Sequence, residues 1–185
     1  MYLPGIEQAS RVIQARGGRA QIMIVDDSSS MRKHMQRVKV AVRVISYFAK
    51  TTNHDGIEVY SASGITRKPG VYKTSSQTET AIDKMETVQG KCDMGACIDH
   101  ILDKILVDGK RVKPTNVYIY TDGVWEPGTN VERPIHRAIN HLTMHDEPLN
   151  TLVFQFVQFG YDVEGRARLL SLDDSCRKQT GHGIQ

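Results

Sequence analysis

The sequence predicts an α/β fold: a doubly wound, mainly parallel central sheet flanked by helices. Three observations carry that expectation. Short β-branched runs, Ile22-Met23-Ile24-Val25 first among them, have the continuous apolar character of strands buried on both faces. They alternate with longer stretches whose apolar residues recur every three or four positions, as on one face of a helix. Two strands also stop abruptly in acid, at Asp26 and at Asp122, and ligands of open α/β sheets bind outside the carboxyl ends of the strands.

Residues 1–19 read as a leader, 20–176 as the domain and 177–185 as a polar tail. The first strand covers about 21–26, and a helix is expected from Met31 to Lys50, with Met35, Val38, Val42 and Ile45 on its apolar face. Arg32, Lys33, Arg37, Lys39 and Arg43 then form a solvated face. Residues 57–62 alternate as a second strand, and Val71 to Thr74 make a short edge strand. Helices are expected over 78–88 and 94–107, a strand over 117–121, and a helix over 131–144 with Pro134 in its first turn. A strand at 151–159 and a helix at 165–176 complete the order. A further strand would ordinarily follow, so the expectation is a fold lacking its last edge strand, or a truncated chain.

The totals bound the function. The chain has 185 residues with 39% hydrophobic content, enough for one domain with a core. A net charge of +3, from 24 basic and 21 acidic residues, gives no electrostatic case for nucleic acid or for an acidic membrane. Three cysteines without zinc-type spacing imply neither a complete disulfide framework nor a zinc framework, and fit a reduced compartment. The N-terminus lacks a signal-peptide pattern, and no apolar run approaches the roughly 20 residues that span a bilayer. A cytoplasmic protein is expected.

The stretch Asp26-Asp27-Ser28-Ser29-Ser30 packs two carboxylates and three hydroxyls into a strand-to-helix loop. Such hard oxygen donors suit Mg²⁺, Mn²⁺ or Ca²⁺. The plain alternative is a helix N-cap, which Ser and Asp also favour. In the spacing D-x-S-x-S, alternate residues can turn their oxygens to one side of a tight loop. Adjacent parallel strands lie about 4.8 Å apart. If the strands ending at Asp26 and Asp122 are neighbours, two like charges meet, and a divalent cation would relieve their repulsion.

Asp26-x-Ser28-x-Ser30-Met31, the loop Gly90-Lys91-Cys92-Asp93-Met94 and the strand end Thr121-Asp122-Gly123 together resemble the von Willebrand factor type A domain over about residues 20 to 175. Val153 to Gly160, followed by Leu172-Asp173-Asp174, is similar to the last strand and helix of intracellular, fungal-type members. The resemblance implies a Rossmann-like fold and a metal-ion-dependent adhesion site built from three loops. It makes Asp26, Ser28, Ser30 and Asp122 the expected ligands of Mg²⁺ or Mn²⁺. Cys92 stands where the family usually has threonine, and a neutral thiol is a poor ligand for Mg²⁺. Asp93 is a candidate substitute ligand, and Asp27, Asp93 and Thr121 are expected to orient ligands or waters. Trp125 is either a core residue or an aromatic anchor for the partner.

The expected function is a protein-binding module in which the metal accepts an acidic side chain of a partner protein. No general base or nucleophile is apparent, so no enzymatic activity is expected. Two alternatives stand beside it. The opening also resembles a receiver domain with a phospho-accepting aspartate, but the next strand-terminal Asp, Asp122, lies 96 positions beyond Asp26, much later than a receiver needs. The other is a structural domain whose metal site has lapsed at Cys92. The seven histidines form no H-E-x-x-H pair; His141 and His145, with Asp146 near, read as an exposed polar face.

Overall fold

Strand β1 (Ala20–Val25) runs through the middle of the sheet. The structure, a computed structural model, describes residues 11–12, 18–50, 53, 55–64 and 69–179. The other strands are β2 (Ile57–Ser61), β3 (Gly70–Tyr72), β4 (Thr115–Thr121) and β5 (Leu152–Gln158). Their order is β3-β2-β1-β4-β5. β1 pairs in parallel with β2 (Gln21 opposite Ile57) and with β4 (Ala20 opposite Thr115), and β4 pairs in parallel with β5. The short β3 is antiparallel to β2. This is the mainly parallel, doubly wound sheet expected from the sequence. Among the described residues no strand lies beyond β5.

Alternation along β1 divides the core in two. Ile22 and Ile24 pack with α3 (Met94–Ile105), α4 (Glu132–Met144) and α5 (Val163–Gln179), through Ile98, Ile101, Leu142 and Leu172. Met23 and Val25 pack on the other face with α1 (Met35–Ala49) and α2 (Ser75–Asp83), through Val38, Val42 and Ile82. A strand covered on both faces has no polar side, which is why four apolar residues stand in a row there. At the far end of the sheet from the acidic loops, the Arg19 guanidinium ties β1 to β4 and β5. It donates to Asn116 Oδ1 (2.9 Å) and to the carbonyls of Thr115, Asn150 and Thr151. Among the described residues no helix is long and apolar enough to cross a membrane.

Several boundaries differ from expectation, each for a local reason. The helix expected from Met31 opens as a tighter 3-10 turn, Ser29–His34, before α1 begins at Met35. Fully buried Met31 and the bond from Ser29 N to Gly90 O (2.9 Å) hold this turn against the sheet end. α2 starts three residues early because Thr74 and Gln77 form a capping box. It ends early because Val88 N is drawn to Asp27 O (2.8 Å). Pro148 opens a short 3-10 turn, Leu149–Thr151, that takes the first residue of the expected last strand. Of the expected leader only residues 11–12 and 18–19 are described; of the expected tail only 177–179 are, and they continue the last helix to Gln179.

His34 closes the 3-10 turn, buried against Phe159 at a ring separation of 6.5 Å. Burial, reinforced by Lys33, lowers its pKa below the ordinary 6.5. The folded protein therefore binds this proton less readily than the unfolded chain, so stability is full above about pH 6.5 and falls as the pH drops toward the lowered folded value. Urea midpoints at pH 7.5 and pH 5 should show a loss on acidification that is smaller in His34→Phe.

Candidate metal centre

Parallel pairing of β1 with β4 sets Val25 opposite Tyr120. Asp26 N donates to Tyr120 O (2.9 Å), so the chain leaves both strands at one edge of the sheet. A third loop arrives from between α2 and α3. Ser29 N and Oγ both donate to Gly90 O (2.9 and 3.1 Å), and Glu126 N donates to Cys92 O (3.1 Å). The segments 26–30, 90–93 and 121–126 thus converge.

At their centre is Asp26, with no solvent exposure. Its Oδ1 accepts from Ser28 N (3.0 Å) and from the Cys92 thiol (3.4 Å), and its Oδ2 accepts from Thr121 Oγ1 (2.6 Å). Thr121 Oγ1 in turn accepts from Gly123 N (3.0 Å) and from the indole Nε1 of Trp125 (2.8 Å). The Thr121 hydroxyl is thereby left only one direction in which to donate, toward Asp26. Asp122, also buried, accepts from Val124 N at Oδ1 (3.0 Å). The hydroxyls of Ser28 and Ser30 lie 3.1 Å apart.

Burial raises the Asp26 pKa above the ordinary carboxylate range, the charge of Asp122 adds to this, and the bonds from Ser28 and Thr121 oppose it. Burial, followed by the charge of Asp26, drives the Cys92 thiol far up, so it stays protonated. Burial likewise pushes Cys97 up to about 12.

The donor set fits a hard divalent cation in four of its five members. Bonds of 2.0–2.1 Å at right angles place neighbouring oxygens of an octahedral ion about 3.0 Å apart. The 3.1 Å between Ser28 and Ser30 matches one such edge. The carboxylates of Asp26 and Asp122, both buried at the ends of neighbouring strands, supply hard oxygen donors. The protonated Cys92 thiol does not fit such an ion.

Two expected roles are corrected, and a third residue gains a structural duty. Trp125 is only 3% exposed, packs near Phe156 and spends its indole N–H on Thr121, so it is a brace behind Asp26 and not an anchor for a partner. Asp27 spends its carboxylate on the end of β2: it accepts from Ser63 N (2.9 Å) and from the hydroxyls of Ser61 and Ser63 (2.5 Å each), tying the end of β1 to the end of β2. Asp93 caps α3, its Oδ1 accepting from Ala96 N (3.0 Å) and from Thr129 Oγ1 (3.3 Å). Ser61 and Ser63 went unassigned in the sequence, although their alternate spacing at a strand end was a usable signal.

No family model matches the chain, and no curated protein does either. Solved structures similar in fold include proximal thread matrix protein 1 from the mussel byssus, at 19% identity and a TM-score of 0.49 over 76% of this chain and 39% of that one. A second structure of that protein, described as having a zinc-occupied MIDAS (metal-ion-dependent adhesion site) motif, gives 16% and 0.49 over 86% and 48%. The SpRpn10 VWA domain gives 10% and 0.48 over 85% and 95%. The chain spans less than half the length of the two mussel chains. By its own strand order and helix layers, the chain has a Rossmann-like, doubly wound α/β arrangement.

Proposed function

We propose that the chain is a protein-binding module, not an enzyme, in which Asp26, Ser28, Ser30 and Asp122 hold Mg²⁺ or Mn²⁺ for recognition of an acidic side chain on a partner protein. The observation that carries this is the pair of buried carboxylates at adjacent strand ends beside two hydroxyls at octahedral-edge spacing. The bound cation supplies an open, Lewis-acidic position for a carboxylate. The rest is done by the chain. Trp125 and Gly123 orient Thr121, Thr121 fixes Asp26, and the 3-10 turn presents Ser28 and Ser30 together. Against catalysis stands the state of the thiols: Cys92 and Cys97 are both held protonated, so neither is a ready nucleophile.

Calorimetric titration of Mg²⁺ and Mn²⁺ into the metal-stripped protein tests the reading. The parent is expected to bind one ion, and Asp26→Ala to weaken binding by at least roughly a hundredfold, since a charged ligand is lost from a buried site. Partner capture should then require metal and be abolished by a chelator. A phosphoryl mass increase on Asp26 or Asp122 after treatment with a small phosphodonor would instead favour the receiver-like alternative.

A second reading, a structural domain with a lapsed site, has its own observation in Cys92. Its thiol lies against Asp26 Oδ1 where an oxygen ligand would otherwise sit. A parent that binds neither ion, with partner binding unchanged in Asp26→Ala, would decide for that reading.

A further inference from the structure

We infer that Asp108, His141 and His145 form a second metal site, chemically distinct from the first and selective for a borderline transition ion of the Zn²⁺ class. His141 and His145 are four residues apart at the carboxyl end of α4, so their rings share one face, with centroids 4.4 Å apart. Asp108 approaches from the turn between α3 and β4, where Gly109 adopts a φ of +73°. One ligand atom from each of the three residues lies within 4.8 Å of the others. Zinc bonds of about 2.0–2.1 Å in a tetrahedron need ligand atoms about 3.3 Å apart. Asp108 and His145 are exposed and His141 is half-buried, so side-chain rotation can close that gap.

The surroundings favour a cation. Among the described residues no hydrogen bond or ion pair occupies the three side chains. The nearby guanidinium groups are already committed, Arg133 to Asp99 and Arg137 to Asp99 and Asp103. The end of α4 directs its last carbonyls, the negative pole of the helix, toward this corner. The three residues line an open cleft of about 640 Å³ that also holds His136, whose Nε2 is buried without a partner. Two imidazoles and one carboxylate leave a fourth position to water or to a ligand, and imidazole selects against Mg²⁺. The two sites therefore sort ions by hardness. The second would clip the α3–β4 turn to the end of α4, a link the protein chain itself does not make through these side chains.

The test uses the full chain, stripped of metal, with Zn²⁺ followed by calorimetry and Co²⁺ followed by its visible absorption. In an Asp26→Ala background, which disables the first site, one Zn²⁺ equivalent should still bind. Adding His141→Ala and His145→Ala should weaken that binding by at least roughly tenfold, because loss of a direct ligand costs no less than loss of an outer-shell partner. In the otherwise unaltered protein the same histidine pair should remove the tetrahedral Co²⁺ absorption and leave Mg²⁺ binding unchanged. Zn²⁺ affinity within twofold of the parent in the histidine variants, or no Zn²⁺ binding at all in Asp26→Ala with the fold intact by circular dichroism, overturns the assignment. Should Asp26→Ala fail to fold, the Co²⁺ comparison in the parent background decides alone.

Discussion

Gly165→Ala is expected to destabilise the protein by about 3 kcal/mol or more, a large share of the 5–15 kcal/mol that holds a domain together. A Cβ at Gly165 would lie 2.1 Å from the Asp122 carbonyl oxygen and 3.2 Å from the carbonyl carbons of Asp122 and Gly123. The contact is reciprocal, since a Cβ at Gly123 would meet Gly165 O at 2.5 Å and its Cα at 2.8 Å. Backbone meets backbone here, so no side chain can swing aside. Either α5 lifts from the sheet, exposing Leu169 and Leu172, or the Asp122 turn moves. Gly128→Ala is the control: its φ of +83° carries the left-handed penalty, but nothing lies within 4 Å of the added atom. That change should cost only about 1–2 kcal/mol. Urea denaturation of the two variants separates contact from backbone strain. Equal midpoints would mean that α5 is not seated on the Asp122 turn as described.

Cys92→Thr is expected to tighten Mg²⁺ binding by at least roughly tenfold. Cys92 is 2% exposed with its sulfur 3.4 Å from Asp26 Oδ1, inside the converging loops. Threonine is close in size and puts an oxygen where the sulfur is, so it can still donate to Asp26 while offering a lone pair to the ion. The extra methyl costs less than about 1.5 kcal/mol if the pocket adjusts as cores usually do. Cys92→Ser should shift affinity in the same direction, whereas Cys92→Val, with threonine's shape but no oxygen, should give no gain. Calorimetric titration of the three variants reads this directly. An equal gain in the valine variant would assign the effect to packing and not to ligation.

The parts of this molecule that follow a period were legible in the sequence. Ile22 to Val25 announced a strand covered on both faces, and the acidic strand ends at Asp26 and Asp122 were visible, whereas their adjacency came only with the pairing of β1 and β4. Side-chain direction was harder. Asp26 and Asp27 are consecutive, and the chain sends one toward Thr121 and the other toward Ser61 and Ser63. Composition cannot say which is which. Trp125 sits in an irregular turn, where no periodicity tells inside from outside, and its bond to Thr121 depends on that turn's path. Asp93 is a different case: the helix was expected to begin at 94, and an aspartate immediately before a helix is a capping residue by ordinary rules. His141 and His145 showed their pairing but not their third companion. The positive φ of Asp146 marks a sharp change of chain direction, and the carboxylate that meets the rings is Asp108, from another turn of the fold.

The central place of β1 has a consequence for how the chain is made. Its first neighbour, β2, ends at Ser61, but its second, β4, is complete only at Thr121, 60 residues later. At roughly 5–20 residues per second, a ribosome takes about 3–12 s to close that interval. During those seconds one whole side of an apolar strand, Ile22 to Val25, has its N–H and C=O groups open to any strand that arrives, including one from another nascent copy. Pairings this distant in sequence also form slowly once the chain is free, because the loop must be closed before any contact rewards it. The same strand that organises the finished domain is therefore its point of greatest exposure during synthesis, and efficient production in cells should favour rapid elongation from Ser61 to Thr121 or a chaperone that shields the nascent segment.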